Sequence, residues 1–393
     1  MPPMISVPFA PELDDNSVFD VFPAQPAVFA LHLRETQGPP PPPYLGRTQD
    51  LRRRLARLLR PSGALSRLLN LRELTTHVRY QVVGSPLESI WLLYGLNRDH
   101  YPRTYRQRMR LKSPVLLKVN LRNRFPRCYP TRRIANDGSL YYGPFVSRPA
   151  AERFASDFLD LFKVRRCVED LSPDPAHPGC IYSQMHMCLA PCFAGCSDEE
   201  YQREVANVVS FLDASARSSG LITALESDRA RASEALEFED AARLHRRIEK
   251  VQEVMRQKPD IARNLAELHA IVVERGAAPK SVVFFRIHAG GIRGPVALSL
   301  DENVASPVPL DQQLHEKLDP LGPAAPVLPV GAHHGEPVQA RENAPPPWEH
   351  LSLLARWYYS SFRTGEILML DRSAQIPHTR LIRLCRKLIA HVP

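Results

Sequence analysis

The sequence lacks two features that would place a chain in a membrane or outside the cell. Its 393 residues contain no run of 18 apolar residues, and the N-terminus has no basic segment followed by an apolar one. A transmembrane helix needs about 20 mostly apolar residues, and a secretory signal needs both of those segments. We therefore expect a cytoplasmic protein with no membrane partner.

Cysteine is scarce and is not arranged as the close pairs of a zinc ribbon. The chain has seven cysteines and no C-x2-C pair, but four of them, Cys167, Cys180, Cys188 and Cys192, stand as C-x12-C-x7-C-x3-C. Thiolates bind zinc or iron–sulfur clusters, and the uneven spacing favours a cluster, with zinc second. Disulfides are rare in reducing cytosol and are less favoured. Cys196 is an alternative to Cys192 as the fourth ligand.

Acidic residues are scarce in residues 47–133, which carry 21 Lys and Arg against four Asp and Glu, although the net charge of the whole chain is only +9. Arginine concentrated in this way most often contacts a phosphate backbone, so we predict a nucleic-acid partner. A merely solvated basic face is the alternative. The arginines assigned to DNA binding are Arg47, Arg52, Arg53, Arg57, Arg106, Arg108 and Arg110.

Aromatic residues are interleaved with the arginines of this basic segment, at Tyr101, Tyr105, Phe125 and Tyr129. Arginine with spaced aromatics holds phosphates while bases or sugars stack on the rings. The alternative is that each ring belongs to the hydrophobic core.

Periodicity indicates an α+β fold. A strand is predicted from Ala27, a basic amphipathic helix after Asp50, and a helix bearing Phe154, Phe158 and Phe162 on one face. The 38 prolines are about twice the average share, which predicts some linker. The predicted segments are a disordered tail (1–24), a small α/β domain (25–106), an Arg- and Cys-rich region (107–198), a helical region with a hairpin (199–260), a strand meander (265–300), a proline-rich linker (301–347) and a C-terminal helical segment (348–393).

Four features together resemble the UvrC family, a component of the bacterial UvrABC excinuclease. They are Tyr44-Leu-Gly, a predicted turn at Tyr142-Gly-Pro-Phe, the four-cysteine loop and the hairpin sequence Glu237-Phe-Glu-Asp-Ala-Ala-Arg-Leu, in the order of that family over about residues 26–300. The resemblance implies nucleotide excision repair of DNA, an N-terminal GIY-YIG nuclease domain, a 4Fe-4S cluster and a UVR hairpin that binds UvrB. The hairpin residues it assigns to UvrB binding are Phe238, Glu239, Ala241, Ala242 and Leu244.

The nuclease half of the resemblance is incomplete. It assigns catalysis to Tyr44 and Arg54, but Phe29 replaces a tyrosine of the family and Leu93 replaces the glutamate that binds the divalent metal. An alkyl side chain cannot hold a cation, and Glu88 lies five residues earlier, rotated off that helix face. We predict an impaired site that binds DNA, with Mg²⁺ expected only if the nuclease is active. An active short UvrC-type endonuclease and a non-catalytic adaptor are the alternatives.

Other departures concern the length of the chain and its hairpin. The sequence stops near where the RNase H-like domain of the family begins, and a helix-hairpin-helix segment is missing, so we expect a short homologue. Arg47 stands in place of a lysine, and Tyr105 in place of an asparagine. In the hairpin, His245-Arg246 replaces the usual Arg-Asp.

Overall fold

A computed structural model describes residues 4–10, 16–34, 41–59, 71–213, 220–300, 308–321, 348–361 and 363–390. Within these residues the chain has the predicted α+β fold, with three antiparallel sheets and helices packed on them. The strands are β1 (Ile5–Pro8), β2 (Ala27–Leu33), β3 (Tyr44–Thr48), β4 (Thr75–Val82), β5 (Val115–Val119), β6 (Cys128–Thr131), β7 (Leu140–Phe145), β8 (Arg263–Asn264), β9 (Ala270–Arg275), β10 (Ser281–His288), β11 (Gly291–Ser299) and β12 (Glu366–Met369). The helices are α1 (Leu51–Leu58), α2 (Leu71–Leu74), α3 (Pro86–His100), α4 (Tyr105–Arg108), α5 (Arg148–Leu159), α6 (Ile181–Gln184), α7 (Asp198–Asp213), α8 (Gly220–Glu234), α9 (Phe238–Gln257), α10 (Leu310–Leu318), α11 (Trp348–Tyr358) and α12 (His378–Ala390).

The first sheet, with strand order β1-β4-β2-β3, forms an N-terminal unit. Successive residues of β2 point to opposite faces, so Phe29 packs with α1 and Val28 packs with α3. The carboxylate of Asp50 caps α1 by accepting a hydrogen bond from the backbone N–H of Arg53 at 2.9 Å. The predicted β2–β3 hairpin and basic helix are therefore present. The first two prolines of the hairpin tip, at 39 and 40, lie outside the described residues.

The prediction of a disordered tail over residues 1–24 is wrong where the structure describes it. Strand β1 pairs antiparallel with β4, and Phe9, Phe19 and Phe22 are buried in the core beneath α1. Burial of a phenylalanine contributes about 1.5–3 kcal/mol, so three of them can fix a short segment. The prolines and acidic residues between them concealed this signal in the sequence.

The second sheet, with strand order β6-β5-β7-β8, packs against α5, α7 and α9. The three phenylalanines at i, i+4 and i+8 are all buried, but only Phe154 and Phe158 lie on α5, because the helix ends at Leu159 before Phe162. The ring centroid of Phe211 of α7 lies 5.5 Å from those of both Phe158 and Phe162. The segment Tyr142-Gly-Pro-Phe, predicted as a turn, lies instead in β7, because Tyr142 and Phe145 are both buried in this core.

The third sheet, with strand order β11-β10-β9-β12, is covered on both faces. Phe285 of β10 packs towards α11, whereas Phe284 packs towards α10 and α12. The predicted strand meander is present. Of the predicted linker over 301–347, the structure describes residues 308–321. These residues contain α10, whose Leu314 and Leu318 are buried against this sheet, so this part is not a linker. The C-terminal segment also includes β12, which pairs with β9 and which helical periodicity could not predict.

A buried carboxylate on α11 joins the C-terminal segment to the N-terminal unit. Glu349 is 0% exposed and accepts hydrogen bonds from Tyr94 Oη at 2.6 Å, Tyr105 Oη at 2.8 Å and Arg106 Nε at 2.6 Å. Burial and then the neighbouring carboxylate raise the pKa of Tyr94 and of Tyr105. Both tyrosines therefore remain protonated donors. The contact closes a loop of more than 240 residues.

A second buried carboxylate lies at the same junction. Glu274 of β9 accepts from Trp357 Nε1 at 2.7 Å and from the backbone N–H of Leu87, in the first turn of α3, at 3.0 Å. Beside it, a Cβ added to Gly84 would meet the carbonyl carbon of Gly276 at 2.1 Å. The backbones of the N-terminal unit and the third sheet thus touch directly.

The helices of the described part of the chain do not include one whose length and apolar character would let it cross a lipid bilayer.

The Glu349 contact should be a major source of stability at this junction. Replacing Glu349 with Ala leaves three donors without their acceptor, so we expect the free energy of unfolding to fall by about 3 kcal/mol. Replacing Glu366, which forms an exposed ion pair with Lys387, should cost less than about 1 kcal/mol. Urea denaturation followed by circular dichroism measures both. Equal losses in the two variants would contradict the assigned role of Glu349.

Candidate functional site

The cysteine loop follows α5 and is fixed by backbone contacts at both ends. The N–H of Leu189 donates to the carbonyl of Lys163, and the N–H of Asp174 donates to the carbonyl of Cys192, both at 2.9 Å. Ala190 and Ala194, which flank the short 3-10 helix Pro191–Phe193, adopt left-handed conformations. These tight turns bring the last two cysteines of the set back towards the first two.

Arg165 connects this loop to the core, and it was not among the predicted site residues. Its side chain is buried, and Nε donates to the carbonyl of Phe125 at 2.8 Å, while Nη1 donates to that of Glu169 at 2.6 Å. Nη1 also lies 3.6 Å from Cys167 Sγ. A cationic donor at a sulfur suits a ligand that carries negative charge. The signal in the sequence was an arginine two residues before a predicted ligand.

The four predicted ligands lie close enough to influence one another electrostatically. Burial raises the pKa of Cys188 to about 11, and the neighbouring thiols of Cys167, Cys180 and Cys192 contribute to the increase. Burial also raises the pKa of Cys196, but Cys192 is the one cysteine among the further causes, behind Glu200 and Asp198. Cys192 is buried, whereas Cys196 is only partly buried.

The donors that this loop offers to a metal are thiols. Among the described residues, no three or more His, Cys, Asp or Glu side chains are placed to hold one metal ion. The N–H of Ala190 donates to Cys188 Sγ at 3.3 Å. Thiolates are ligands of both zinc sites and iron–sulfur clusters, and hydrogen bonds to the sulfurs tune the latter.

The residues of the nuclease-like site are distributed over both faces of the first sheet. Tyr44 packs in the core beneath α1, the helix that carries Arg54, and its ring centroid is 6.3 Å from that of Phe29. The Phe29 ring covers Gly46, where an added Cβ would approach it to 2.6 Å. Leu93 packs on the opposite face, with the core of α3. The structure therefore does not gather these predicted residues around one point.

The position expected for a metal ligand is apolar. Leu93 lines a cavity of about 380 Å³ together with Arg47 and Arg108, and no carboxylate lines that cavity among the described residues. Glu88 is turned inward, where its Oε2 accepts from the backbone N–H of Gly84 at 2.8 Å. Burial raises the pKa of Glu88 to about 7. The Glu88 carboxylate therefore accepts a backbone hydrogen bond at the start of α3.

The predicted DNA-binding arginines fall into two groups. Arg52 donates to the carbonyl of Phe22 at 2.8 Å and pairs with Asp20, and Arg106 pairs with Glu349, so both have structural partners. Arg108 stacks on the ring of Tyr101 at 3.7 Å and donates to Asn97. Arg53, Arg57 and Arg110 are exposed. No ion pair of these three occurs within the described residues, so their charges are available to a ligand.

The aromatic residues of the basic segment divide in the same way. Tyr105 and Phe125 are buried and belong to the core, as the alternative interpretation held. Tyr101 and Tyr129 are only partly buried, and each carries a guanidinium on its face, from Arg108 and Arg127 respectively. The hydroxyl of Tyr101 also donates to the carbonyl of Pro43 at 2.7 Å, which holds the end of the proline tip.

The helical hairpin α8–α9 is fixed at its base and exposed at its tip. Ile248, Val251 and Val254 of α9 are buried in the core shared with α5, so the apolar face of the hairpin rests on the rest of the protein. At the tip, Leu236 is 70% exposed and Phe238 is 67% exposed. The tip therefore presents two large apolar side chains to solvent, next to the exposed Glu239 and Ala242 and the partly buried Ala241 and Leu244.

Comparison with known proteins agrees with this arrangement. Residues 115–211 match the UvrC/Cho excinuclease middle domain, and residues 219–254 match the UvrB/uvrC motif. The central region of this chain is UvrC-like. The first match spans β5, β6 and β7 of the second sheet, α5, the cysteine loop and most of α7, and the second spans most of the hairpin.

Several UvrABC system protein C sequences are similar to this UvrC-like chain. The relative from Moorella thermoacetica is 30% identical over 246 residues, 62% of this chain and 39% of the relative. Those from Saccharopolyspora erythraea and Methanothermobacter thermautotrophicus are each 29% identical, over 66% and 64% of this chain and 36% and 42% of their own lengths. The chain thus spans about two fifths of these relatives. No solved structure matched.

Proposed function

We propose that this UvrC-like chain acts in nucleotide excision repair, where it binds double-stranded DNA and UvrB and has an impaired nuclease site. One observation carries the proposal: a UvrC middle domain is followed directly by a UvrB/uvrC motif in a single chain. The similar relatives are named for the UvrABC system. Because the chain spans only part of those relatives, the proposal covers binding roles and not their whole activity.

The DNA role is supported by the charge of residues 47–133 and by Arg53, Arg57 and Arg110, three exposed arginines of that segment that form no ion pair within the described residues. The impaired nuclease is supported by Leu93 in the cavity beside Arg47, by the missing hydroxyl at Phe29 and by the inward orientation of Glu88. A divalent ion in such a site polarises a phosphoryl oxygen and activates water. The described residues that line this cavity offer cationic side chains to phosphate, and a carboxylate for such an ion is not among them.

DNA binding can be tested with adjacent arginines of one helix. Arg53→Gln removes an exposed charge, so we expect weaker binding of a labelled duplex and a slope of log K against log salt reduced by about 0.9. Arg52→Gln removes a charge already paired with Asp20, so its effect should be smaller. Fluorescence anisotropy over a range of KCl concentrations measures both variants.

Absence of salt-dependent binding by the unaltered chain would refute the DNA role. The same duplex, carrying a lesion and incubated with Mg²⁺ or Mn²⁺, reports on the nuclease. We expect no metal-dependent nicking. Nicking that disappears in Arg54→Ala would instead establish the active short endonuclease.

The cysteine loop is proposed to hold a 4Fe-4S cluster through Cys167, Cys180, Cys188 and Cys192. Support comes from the four neighbouring thiols and from the donors at two of their sulfurs. Such a cluster would tie together a loop that has little regular structure. Arg165 and the N–H of Ala190 would then orient the sulfurs and balance their negative charge.

Metal analysis of anaerobically purified protein tests the cluster. We expect iron and acid-labile sulfide in the unaltered chain and their loss in Cys188→Ser, because one cluster ligand is removed. Cys385→Ser, which alters a buried thiol on α12 in the core against the third sheet, should keep both, and Cys196→Ser should resemble it. Zinc without sulfide would overturn the cluster assignment.

UvrB binding is proposed to use the tip of the hairpin, which is supported by the exposure of Leu236 and Phe238. Phe238→Ala should weaken binding to purified UvrB at least tenfold, since exposed aromatic anchors often dominate such interfaces. Arg243→Ala changes an exposed residue that pairs within α9 with Asp240 and should have a smaller effect. Surface plasmon resonance compares them, and equal affinities for all three proteins would argue against this interface.

A further inference from the structure

Arg356 of α11 occupies a position that the proposed DNA contacts do not explain. It lines three neighbouring cavities at the junction of the N-terminal unit with the C-terminal segment. Two of these cavities, of about 700 and 380 Å³, are also lined by Arg47 of β3. Two guanidinium groups from distant parts of the sequence therefore share one recess.

The partners of these two arginines are electrically neutral. Arg47 Nη1 donates to Ser89 Oγ at 3.2 Å. Arg356 Nη2 donates to the backbone carbonyls of Met109 and Arg110, at 3.0 Å each. Among the described residues, no carboxylate lines either shared cavity. Both positive charges are thus held in place but not neutralised.

The two charges act on each other. Partial desolvation lowers the pKa of both groups, and the charge of Arg47 lowers that of Arg356 further. Both side chains nevertheless remain accessible to solvent. A pair of like charges held close together raises the energy of the free protein, and an anion between them converts this repulsion into attraction.

The chemistry of the recess suits a phosphate group. A guanidinium presents parallel N–H donors that match two phosphate oxygens. The larger cavity is also lined by Ser85, Ser360 and Thr364, whose side chains are short and polar, and the smaller one by Arg108. Carboxylates, which would repel an anion, are not among the described lining residues of either cavity.

We propose that Arg47 and Arg356 together bind one phosphate group of the DNA backbone, so that the C-terminal segment supplies part of the DNA-binding surface. This inference rests on the proposed DNA role and adds a contact outside the basic segment. The same oxyanion chemistry also occurs in free phosphate, and the two sources are separated by the experiment.

Duplex binding is measured for Arg356→Gln, Arg47→Gln, the double variant and the charge-preserving Arg356→Lys. Arg148→Gln is the matched control, because it removes one charge from an exposed residue paired with Glu152 on α5. We expect Arg356→Gln to weaken binding about tenfold and to lower the salt slope by about 0.9. Arg356→Lys should keep most of that slope. The double variant should lose less than the sum of the single losses, because both side chains contact one phosphate.

A second measurement separates this inference from the proposed function. Inorganic phosphate, at ionic strength matched with KCl, should raise the thermal unfolding midpoint of the unaltered chain and of Arg148→Gln, but not that of Arg356→Gln. If the chain binds DNA and Arg356→Gln behaves as Arg148→Gln in both assays, the inference is wrong and the DNA role stands. If the chain binds no DNA, the DNA role and the proposed contact with backbone phosphate are both wrong. A phosphate-induced rise of the unfolding midpoint that depends on Arg356 would then assign the site to free phosphate. Circular dichroism of each variant verifies that it is folded.

Discussion

The arrangement of the chain depends on one buried carboxylate and its three hydrogen-bond donors. Glu349 is enclosed by two tyrosine hydroxyls and one guanidinium, and its removal would leave all three donors without this acceptor. Breaking a buried charged contact of this kind is far more destabilising than breaking one at the surface. The position of α11 on the N-terminal unit follows from this contact. So does the position of every side chain that α11 presents, Arg356 among them.

The same junction involves α3, the helix that carries Leu93 at the position expected for a metal ligand. On α3, Tyr94 is directed to Glu349, Leu87 donates to Glu274, and Leu93 joins apolar packing. The helix that carries Leu93 is thus tied to the rest of the chain by the residues on either side of that position. Tyr105, which stands where the UvrC family has asparagine, contributes to the same contact. Of the departures from the family sequence, Tyr105 is thus the one that takes a direct part in the Glu349 contact within the described residues.

The sequence allowed good predictions where local periodicity and burial agree. The phenylalanine face of α5, the α8–α9 hairpin and the strands from β9 to β11 all carry their pattern within a few residues. The prediction failed at β1, at α10 and at β12, because each is ordered by a distant partner and not by its own periodicity. The candidate site shows the same division. The cysteine spacing identified the loop but left Cys192 and Cys196 as alternatives, and they differ in the structure by their burial. Nothing in the sequence around Arg356 relates it to Arg47, which lies more than 300 residues earlier.

The close approach of Gly84 to Gly276 restricts how this chain can be altered by design. A chimera that takes its N-terminal unit from another protein would need a glycine, or a shifted backbone, just before α3, since a single added carbon would collide with the main chain that follows β9. The size of one side chain therefore limits which N-terminal units can be exchanged while the fold is kept.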